Sequence, residues 1–197
     1  VVAIDIDGVL AEYHEHLLTF MDGYFGRTMQ RGWNGSGDWE DYLNLDSKSY
    51  REAKLAFRQG GMKRTMPNMP GAFSIVYMAV ARGAEVWITT TRPWNRLDSV
   101  DPDTQEWLRR NHIDYSHLLY DDHKYTRLAQ IVQPDRVVFV LDDLPEQWVS
   151  AEAMFPGRAF LLTRPHNLAA GEKPRRVADL GAAQQHMIRN IETWRDM

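Results

Sequence analysis

Four short segments carry residue types that can do chemistry. Asp5-Ile6-Asp7-Gly8 ends the apolar run Val1–Ile6. In a strand, residues two apart project to the same side. Asp5 and Asp7 therefore leave it as a pair of carboxylates, and Gly8 lets the backbone turn. Crowding two carboxylates is costly unless a cation or a shared proton compensates; taken alone, the motif reads equally well as a metal-free surface turn. Thr90-Thr91-Arg92-Pro93 follows a second β-rich run and offers hydroxyls and backbone N–H groups of the kind that receive phosphate. Asp142-Asp143 follows a third run and adds an all-oxygen donor set suited to Mg²⁺. Lys124 opens a helical stretch ahead of that run, and by itself reads as a solvated lysine. His14 and His16 suggest zinc, but residues two apart on a helix do not share a face.

The elements that must position these groups follow from hydrophobic pattern. Val1–Ile6, Ala84–Thr89, Arg136–Leu141 and Arg158–Leu162 are mostly apolar, as strands covered on both faces should be. Between them lie helical patterns. Pro70 opens one that carries Phe73, Val76, Tyr77 and Val80 on one face and closes at Gly83. Asp101-Pro102 caps another. Lys124–Val132 and Pro145–Met154 are two more, and a last helix carries Met187, Ile191 and Trp194. Strands alternating with helices indicate a parallel sheet. Ligands of such sheets lie outside the carboxyl ends of the strands, where all four segments fall.

Residues 11–69 break the alternation. Leu17, Leu18, Met21, Tyr24 and Phe25 fit one helix face. Ser49-x-x-Glu52 fits a capping box opening a second helix, with Tyr50, Ala53 and Phe57 aligned and Gly60-Gly61 ending it. Between them a glycine-rich loop carries Trp33 and Trp39. The chain thus reads as an α/β core of residues 1–10 and 70–197, with a helical cap of residues 11–69 inserted after the first strand.

Composition narrows the function classes. The 197 residues hold 23 Lys+Arg and 27 Asp+Glu, a net charge of −4, and are 44% hydrophobic, values of an ordinary globular domain. The acidity argues against a protein that coats nucleic acid, and no stable nucleic-acid complex is expected. With no cysteine, disulfides, thiolate metal sites and cysteine nucleophiles are excluded. No apolar run approaches the ~20 residues that span a bilayer, and no signal peptide is visible, so the expected setting is the cytoplasm of a bacterial or virus-infected cell.

Taken jointly, the order Asp-x-Asp, Thr, Lys, Asp-Asp resembles the four signature motifs of the haloacid dehalogenase superfamily of phosphotransferases. The resemblance extends to Arg64–Ala72, Ile88–Pro93, Gln105–Leu108, Leu141–Asp143 with Pro145-Glu146, and Arg164–Asn167. Together these look like the cytosolic 5′(3′)-deoxyribonucleotidase family over nearly the whole chain. One departure is Arg92, which follows Thr90-Thr91 where the mammalian enzymes have no arginine. A Thr/Ser-x-Arg sequence is also similar to the phosphatase domain of polynucleotide kinase, which keeps a polynucleotide 3′-phosphate in play.

The resemblance implies a Rossmann-like sheet with a cap, a small nucleotide substrate and Mg²⁺. It makes Asp5 the nucleophile that forms an aspartyl-phosphate and Asp7 the proton donor and acceptor. Thr90, with Thr91 and Arg92, binds the phosphoryl oxygens, and Lys124 bridges Asp5 and the phosphoryl group. Asp5, the Asp7 carbonyl and the Asp142/Asp143 pair hold the metal, Asp143 directly and Asp142 behind it. Cap aromatics Phe20, Tyr24, Trp33 and Trp39, with Arg64, are candidates for contact with base, sugar or phosphate, though Phe20, Tyr24 and Phe25 also have the spacing of core residues. The rival readings are a polynucleotide 3′-phosphatase, another small-molecule phosphatase, and a non-catalytic nucleotide-binding protein. The sequence leaves the oligomeric state open, a homodimer included.

Overall fold

A computed structural model describes residues 1–171 and 173–196. Six strands form one sheet in the order β3-β2-β1-β4-β5-β6, and every adjacent pair is parallel. They are β1 (Val2–Asp5), β2 (Val86–Thr90), β3 (His117–Tyr120), β4 (Phe139–Asp142), β5 (Ala159–Leu162) and β6 (Arg176–Val177). β1, β2, β4 and β5 are buried along their whole length, as their apolar sequences require.

The order of connection reverses at β1: the chain runs outward through β2 and β3, then crosses back to place β4 on the other side of β1. Such a switch point opens a crevice at the carboxyl ends of the two strands. Register sets Asp5 beside Thr89 and Ile4 beside Leu141, so Asp142 ends β4 level with Asp5.

Helices cover the sheet: α4 (Ala72–Ala81), α5 (Val100–Arg110), α6 (Lys124–Ile131), α7 (Pro145–Met154) and α8 (Leu180–Arg195). The face of α4 differs from the sequence expectation. Ala72, Ile75, Val76 and Ala79 are buried, whereas Phe73, Tyr77 and Val80 are exposed. α4 lies against α8, and small residues allow that approach; a Cβ on Gly71, which caps α4, would sit 3.1 Å from the Leu180 Cβ. Pro70 precedes this helix. α5 opens at Ser99, with Asp101 already in its first turn.

Between β1 and α4 the chain is helical: α1 (Tyr13–Phe25), the single-turn α2 (Trp39–Tyr42), α3 (Ser47–Gln59) and a 3₁₀ turn at Met62–Arg64. α3 begins earlier than a Ser49 box would have it. Asp46 is the cap, its carboxylate accepting from the Lys48 and Ser49 amides. Leu17, Leu18, Met21, Ala53 and Phe57 from these helices join Ile4, Ile6, Leu10 and Met66 in one continuous apolar cluster. Each fully buried Leu or Ile in it contributes about 1.5–3 kcal/mol. The helical segment thereby closes over the end of β1.

Candidate active site

β1 ends at Asp5, and the chain turns at once. The Leu10 and Ala11 amides donate to the Ile6 carbonyl at 2.9 and 2.8 Å, and the Gly8 amide donates to Ala11. Gly8 has φ +93°, a conformation that L side chains rarely adopt. A Cβ there would also lie 1.9 Å from Asp143 Oδ2. The Asp143 carboxylate therefore rests directly on the Gly8 backbone. Gly8→Ala adds backbone strain of about 1–3 kcal/mol and displaces Asp143; a lowered melting temperature with weakened Mg²⁺ binding is expected, and a variant with native values of both would contradict this placement.

Lys124, the first residue of α6, is fully buried among carboxylates. Its Nζ donates to Asp5 Oδ1 and lies 2.7 Å from Asp142 Oδ2. Burial disfavours its charge, but Asp142 and Asp5 outweigh burial and raise its pKa well above the ordinary lysine value. The two neighbouring aspartates at the end of β4 differ sharply. Asp142 is saturated: Oδ2 accepts from the Tyr125 hydroxyl at 2.5 Å, and Oδ1 accepts from the Leu144 amide at 2.9 Å. Asp143 is equally buried, yet neither of its carboxylate oxygens has a hydrogen-bond partner among the described residues. His166 Nε2 lies 2.9 Å from Asp143 Oδ2, while its contact of hydrogen-bond geometry is with the Asp143 carbonyl at 3.2 Å.

A buried carboxylate with unpartnered oxygens is costly, a cost that a bound cation would offset. Asp5, Asp142 and Asp143 each offer an oxygen within 4.8 Å of the others. The donors are all carboxylates, so a hard ion such as Mg²⁺ fits them. Burial raises the pKa of Asp5 well above the usual range, opposed by Lys124 and reinforced by Asp142 and Asp143. Burial likewise raises that of Asp143.

Asp7 has a different environment. Arg92 grips it with Nη2 at 2.5 Å from Oδ1 and Nε at 3.0 Å from Oδ2, and Lys63 Nζ donates to Oδ2. Burial alone would raise its pKa; Arg92 and Lys63 reverse the sign and hold it well below the usual carboxylate range. The two carboxylates are thus pushed apart, but in the order opposite to that required of a nucleophile at Asp5 and a proton donor at Asp7. Lys63 is itself brought down to about 7, by burial above all and against the pull of Asp7, and its ammonium sits 3.9 Å from the Tyr13 ring centroid.

Thr90 is buried at the end of β2, its hydroxyl oxygen accepting from the Arg92 amide at 3.2 Å. Thr91, Arg92, Asp7, Lys63 and Tyr13 line a cleft of about 190 Å³ above the strand ends, with Lys54 and Arg58 from α3 on its far wall. A second cleft of about 270 Å³ is lined by Trp33, Trp39, Glu12, Arg164 and His166, and His14 lies on both. Trp33 and Trp39 therefore share a cleft with His14 and His166, the second of which contacts Asp143.

The other candidates from the helical segment lie elsewhere. Phe20 packs edge-on against Phe57, and Tyr24, 47% exposed, stacks on Phe20. Arg64 points away and pairs with Asp103, its Nη2 2.6 Å from Oδ1. Lys63 is the residue that faces inward. Gly61, in the left-handed conformation, starts the 3₁₀ turn that sends these neighbours in opposite directions. The sequence also gives Tyr125, His166 and Asn167 no role. Asn167 Nδ2 donates to the carbonyls of Asp143 (2.7 Å) and Leu162 (2.8 Å), fixing the chain after β5 to that after β4. For His166 and Asn167 the sequence signal is the Arg164–Asn167 stretch; Tyr125 has none.

The fold has many solved relatives. A predicted phosphoglycolate phosphatase from Haemophilus somnus superimposes with a TM-score of 0.63 at 14% identity, over 96% of this chain and 97% of that one. A hydrolase of the haloacid dehalogenase superfamily from Ehrlichia chaffeensis gives 0.52 at 12% identity, over 97% of each chain. The D,D-heptose 1,7-bisphosphate phosphatase from B. bronchiseptica, complexed with magnesium and phosphate, gives 0.54 at 13% identity, over 95% and 97%. No curated protein matches the sequence.

At the sequence level, residues 1–191 match the family described as 5′ nucleotidase, deoxy (pyrimidine), cytosolic type C. A match of that length, on a chain whose strand ends converge as described, settles the family. The chain has the fold of solved haloacid dehalogenase-superfamily hydrolases; it belongs to the cytosolic type C 5′-nucleotidases and is a phosphoric monoester hydrolase.

Proposed function

We propose that this protein is a Mg²⁺-dependent phosphatase of deoxyribonucleoside monophosphates that works through a phosphorylated Asp5. One observation carries the reading: Lys124 and an unpartnered Asp143 carboxylate flank Asp5 at the switch point of the sheet. Asp5, Asp143 and the Asp7 carbonyl would hold the ion, with Asp142 fixing Lys124 behind them. When bound, Mg²⁺ offsets the carboxylate charge and that of the phosphoryl oxygens. A relative complexed with magnesium and phosphate has this fold.

Asp5 attacks phosphorus in line, forming an acyl phosphate as the ester bond breaks. The Thr90 hydroxyl and the backbone amides near Thr91 receive the non-bridging oxygens, and Lys124 offsets the charge that develops during transfer. Asp7 gives a proton to the leaving oxygen and later takes one from water. For that, a substrate phosphate has to draw Arg92 and Lys63 away from Asp7, so that its proton affinity rises. The free enzyme holds Asp7 ionised, and the order of the two carboxylates inverts on binding.

In this reading residues 11–69 act as the cap. The cleft of Asp7, Lys63 and Arg92 takes phosphate and sugar, and Trp33 and Trp39 stack the base, worth about 1–3 kcal/mol. A cytosolic setting accords with the family's description, and no helix among the described residues is long and apolar enough to cross a membrane.

Phosphate release should be screened over all nucleoside monophosphates and a 3′-phosphorylated oligonucleotide. The expected result is release from deoxyribonucleoside monophosphates, abolished by chelator and restored by Mg²⁺, with base preference reduced in Trp39→Ala. Full activity in excess chelator would exclude the metal. A preference for the oligonucleotide would instead support the polynucleotide 3′-phosphatase reading. Arg92, which suggested that reading, is buried and engaged with Asp7 and Thr104.

Metal affinity should depend on pH. Asp5 and Asp143 hold protons more tightly than ordinary carboxyls because they are buried. A cation must displace those protons. Apparent Mg²⁺ affinity should therefore keep rising with pH above the range where ordinary carboxyls have already ionised, with proton release seen by calorimetry in buffers of different ionisation heat. Affinity independent of pH would contradict the placement of those two ligands.

A further inference from the structure

Asp143 is shared by two groups of ligating side chains. On one side stand Asp5 and Asp142; on the other stand His14 and His166, whose ligand atoms also lie within 4.8 Å of each other and of an Asp143 oxygen. His14 comes from the first turn of α1, and His166 from the 3₁₀ helix Pro165–Ala170 that follows β5. Their rings stack at 4.1 Å between centroids and 23° between planes. His166 Nε2 lies 2.9 Å from Asp143 Oδ2. His14 Nδ1 is buried without a hydrogen-bond partner, and so are both Asp143 oxygens.

Among the described residues, His14 Nδ1 and the Asp143 carboxylate oxygens, from two separate elements, are buried and unpartnered, which is costly for packing alone; His166 Nε2, from a third element, also lies 3.2 Å from the Asp143 carbonyl. Two imidazoles and one carboxylate are a different donor set from the three carboxylates next to them. Oxygen-only sites suit Mg²⁺, whereas imidazole suits Zn²⁺ and its neighbours in the first transition series. Three protein ligands leave a fourth position open, and the cleft of about 270 Å³ that His14 and His166 line gives access to it.

We propose that His14, Asp143 and His166 form a second cation site, selective for a divalent transition-metal ion of the Zn²⁺ or Co²⁺ type and bridged to the all-oxygen site through Asp143. Ligand atoms of a tetrahedral zinc site are about 3.3 Å apart, so the three side chains close inward on binding. Because both sites draw on one carboxylate, each ion alters the affinity for the other by the same factor. The site rests on side-chain geometry and does not depend on the proposed substrate.

Co²⁺ titrated into the chelator-stripped full chain, without substrate, tests it. The expected result is visible d–d absorption of nitrogen-ligated Co²⁺, saturating at a single ion per chain in excess Mg²⁺. His14→Ala and His166→Ala should each lose it, while His16→Ala, a half-buried neighbour on the same helix, should keep it. Proton NMR of the Co²⁺-bound wild-type protein should also show hyperfine-shifted imidazole N–H signals, a readout that requires no variant to fold. Absorption no different from aqueous Co²⁺, bands that survive both histidine substitutions, or no shifted imidazole signal would overturn the proposal. A chain that binds Co²⁺ in this way but releases no phosphate would leave the site standing and remove only the enzymatic reading.

Discussion

Asp5→Asn should lower the turnover of a nucleoside monophosphate by at least about 10³-fold and leave the fold intact. The two halves of this expectation have separate causes. Turnover falls because an amide cannot form the acyl phosphate. The fold survives because the Asp5 carboxylate is not a source of stability in the metal-free protein. It is buried, it faces Asp142 and Asp143, and burial with these like charges raises its pKa against the pull of Lys124. The neutral amide relieves that repulsion, while Lys124 keeps Asp142 as its partner. The denaturation midpoint of metal-free Asp5→Asn should therefore match or exceed that of the wild type. Retained turnover would remove Asp5 as the nucleophile. Collapse of the variant would show that Lys124 depends on Asp5 more than on Asp142.

Lys124→Met has the opposite profile, with stability and turnover falling together. Lys124 is the cation common to Asp5 and Asp142, and all three side chains are buried. Removing one partner of a buried pair leaves the other charge uncompensated, at a cost of about 3–5 kcal/mol. Here two carboxylates lose it at once, with Asp143 beside them. Metal-free Lys124→Met should unfold at a much lower denaturant concentration with unchanged slope, and Mg²⁺ should recover part of the loss by restoring positive charge. A loss below about 1 kcal/mol would mean that water reaches this cluster. Turnover should be undetectable even with Mg²⁺, because the ion cannot replace the ammonium at Asp5 Oδ1.

The parts of this arrangement that sequence reveals are those carried by local pattern. β1, β2, β4 and β5 are continuous apolar runs because both their faces are covered, and the acidic and hydroxyl residues stand where those runs stop. β3 and β6 lie at the sheet edges. His117–Tyr120 is half-exposed and Arg176–Val177 is only a bridge long, so neither has an apolar run to read. Hydrophobic pattern points to the wrong face of α4 because Phe73 and Tyr77 outweigh alanines in it, whereas close packing against α8 favours the alanines.

The charged positions divide in the same way. Lys63 and Arg64 are adjacent cations, and only a left-handed glycine and a 3₁₀ turn decide which of them reaches Asp7. No spacing rule joins His14 to His166, which meet through a loop after β5 and the first turn of α1. The contrast between Asp142 and Asp143 is one the family resemblance implies, but its cause has no local sequence signal: Tyr125 and the Leu144 amide satisfy the Asp142 carboxylate, while that of Asp143 has no hydrogen-bond partner among the described residues.

The central claim, that a nucleotide phosphate is transferred to Asp5 at a metal-supported strand end, is tested most directly by rapid acid quench during turnover of a deoxyribonucleoside monophosphate with Mg²⁺. Mass spectrometry of the peptide that carries Asp5 follows. The predicted result is a transient phosphoryl adduct on the Asp5 carboxylate, absent in chelator and absent from Asp5→Asn. Phosphate release without that adduct, or with the adduct on another residue, would contradict it.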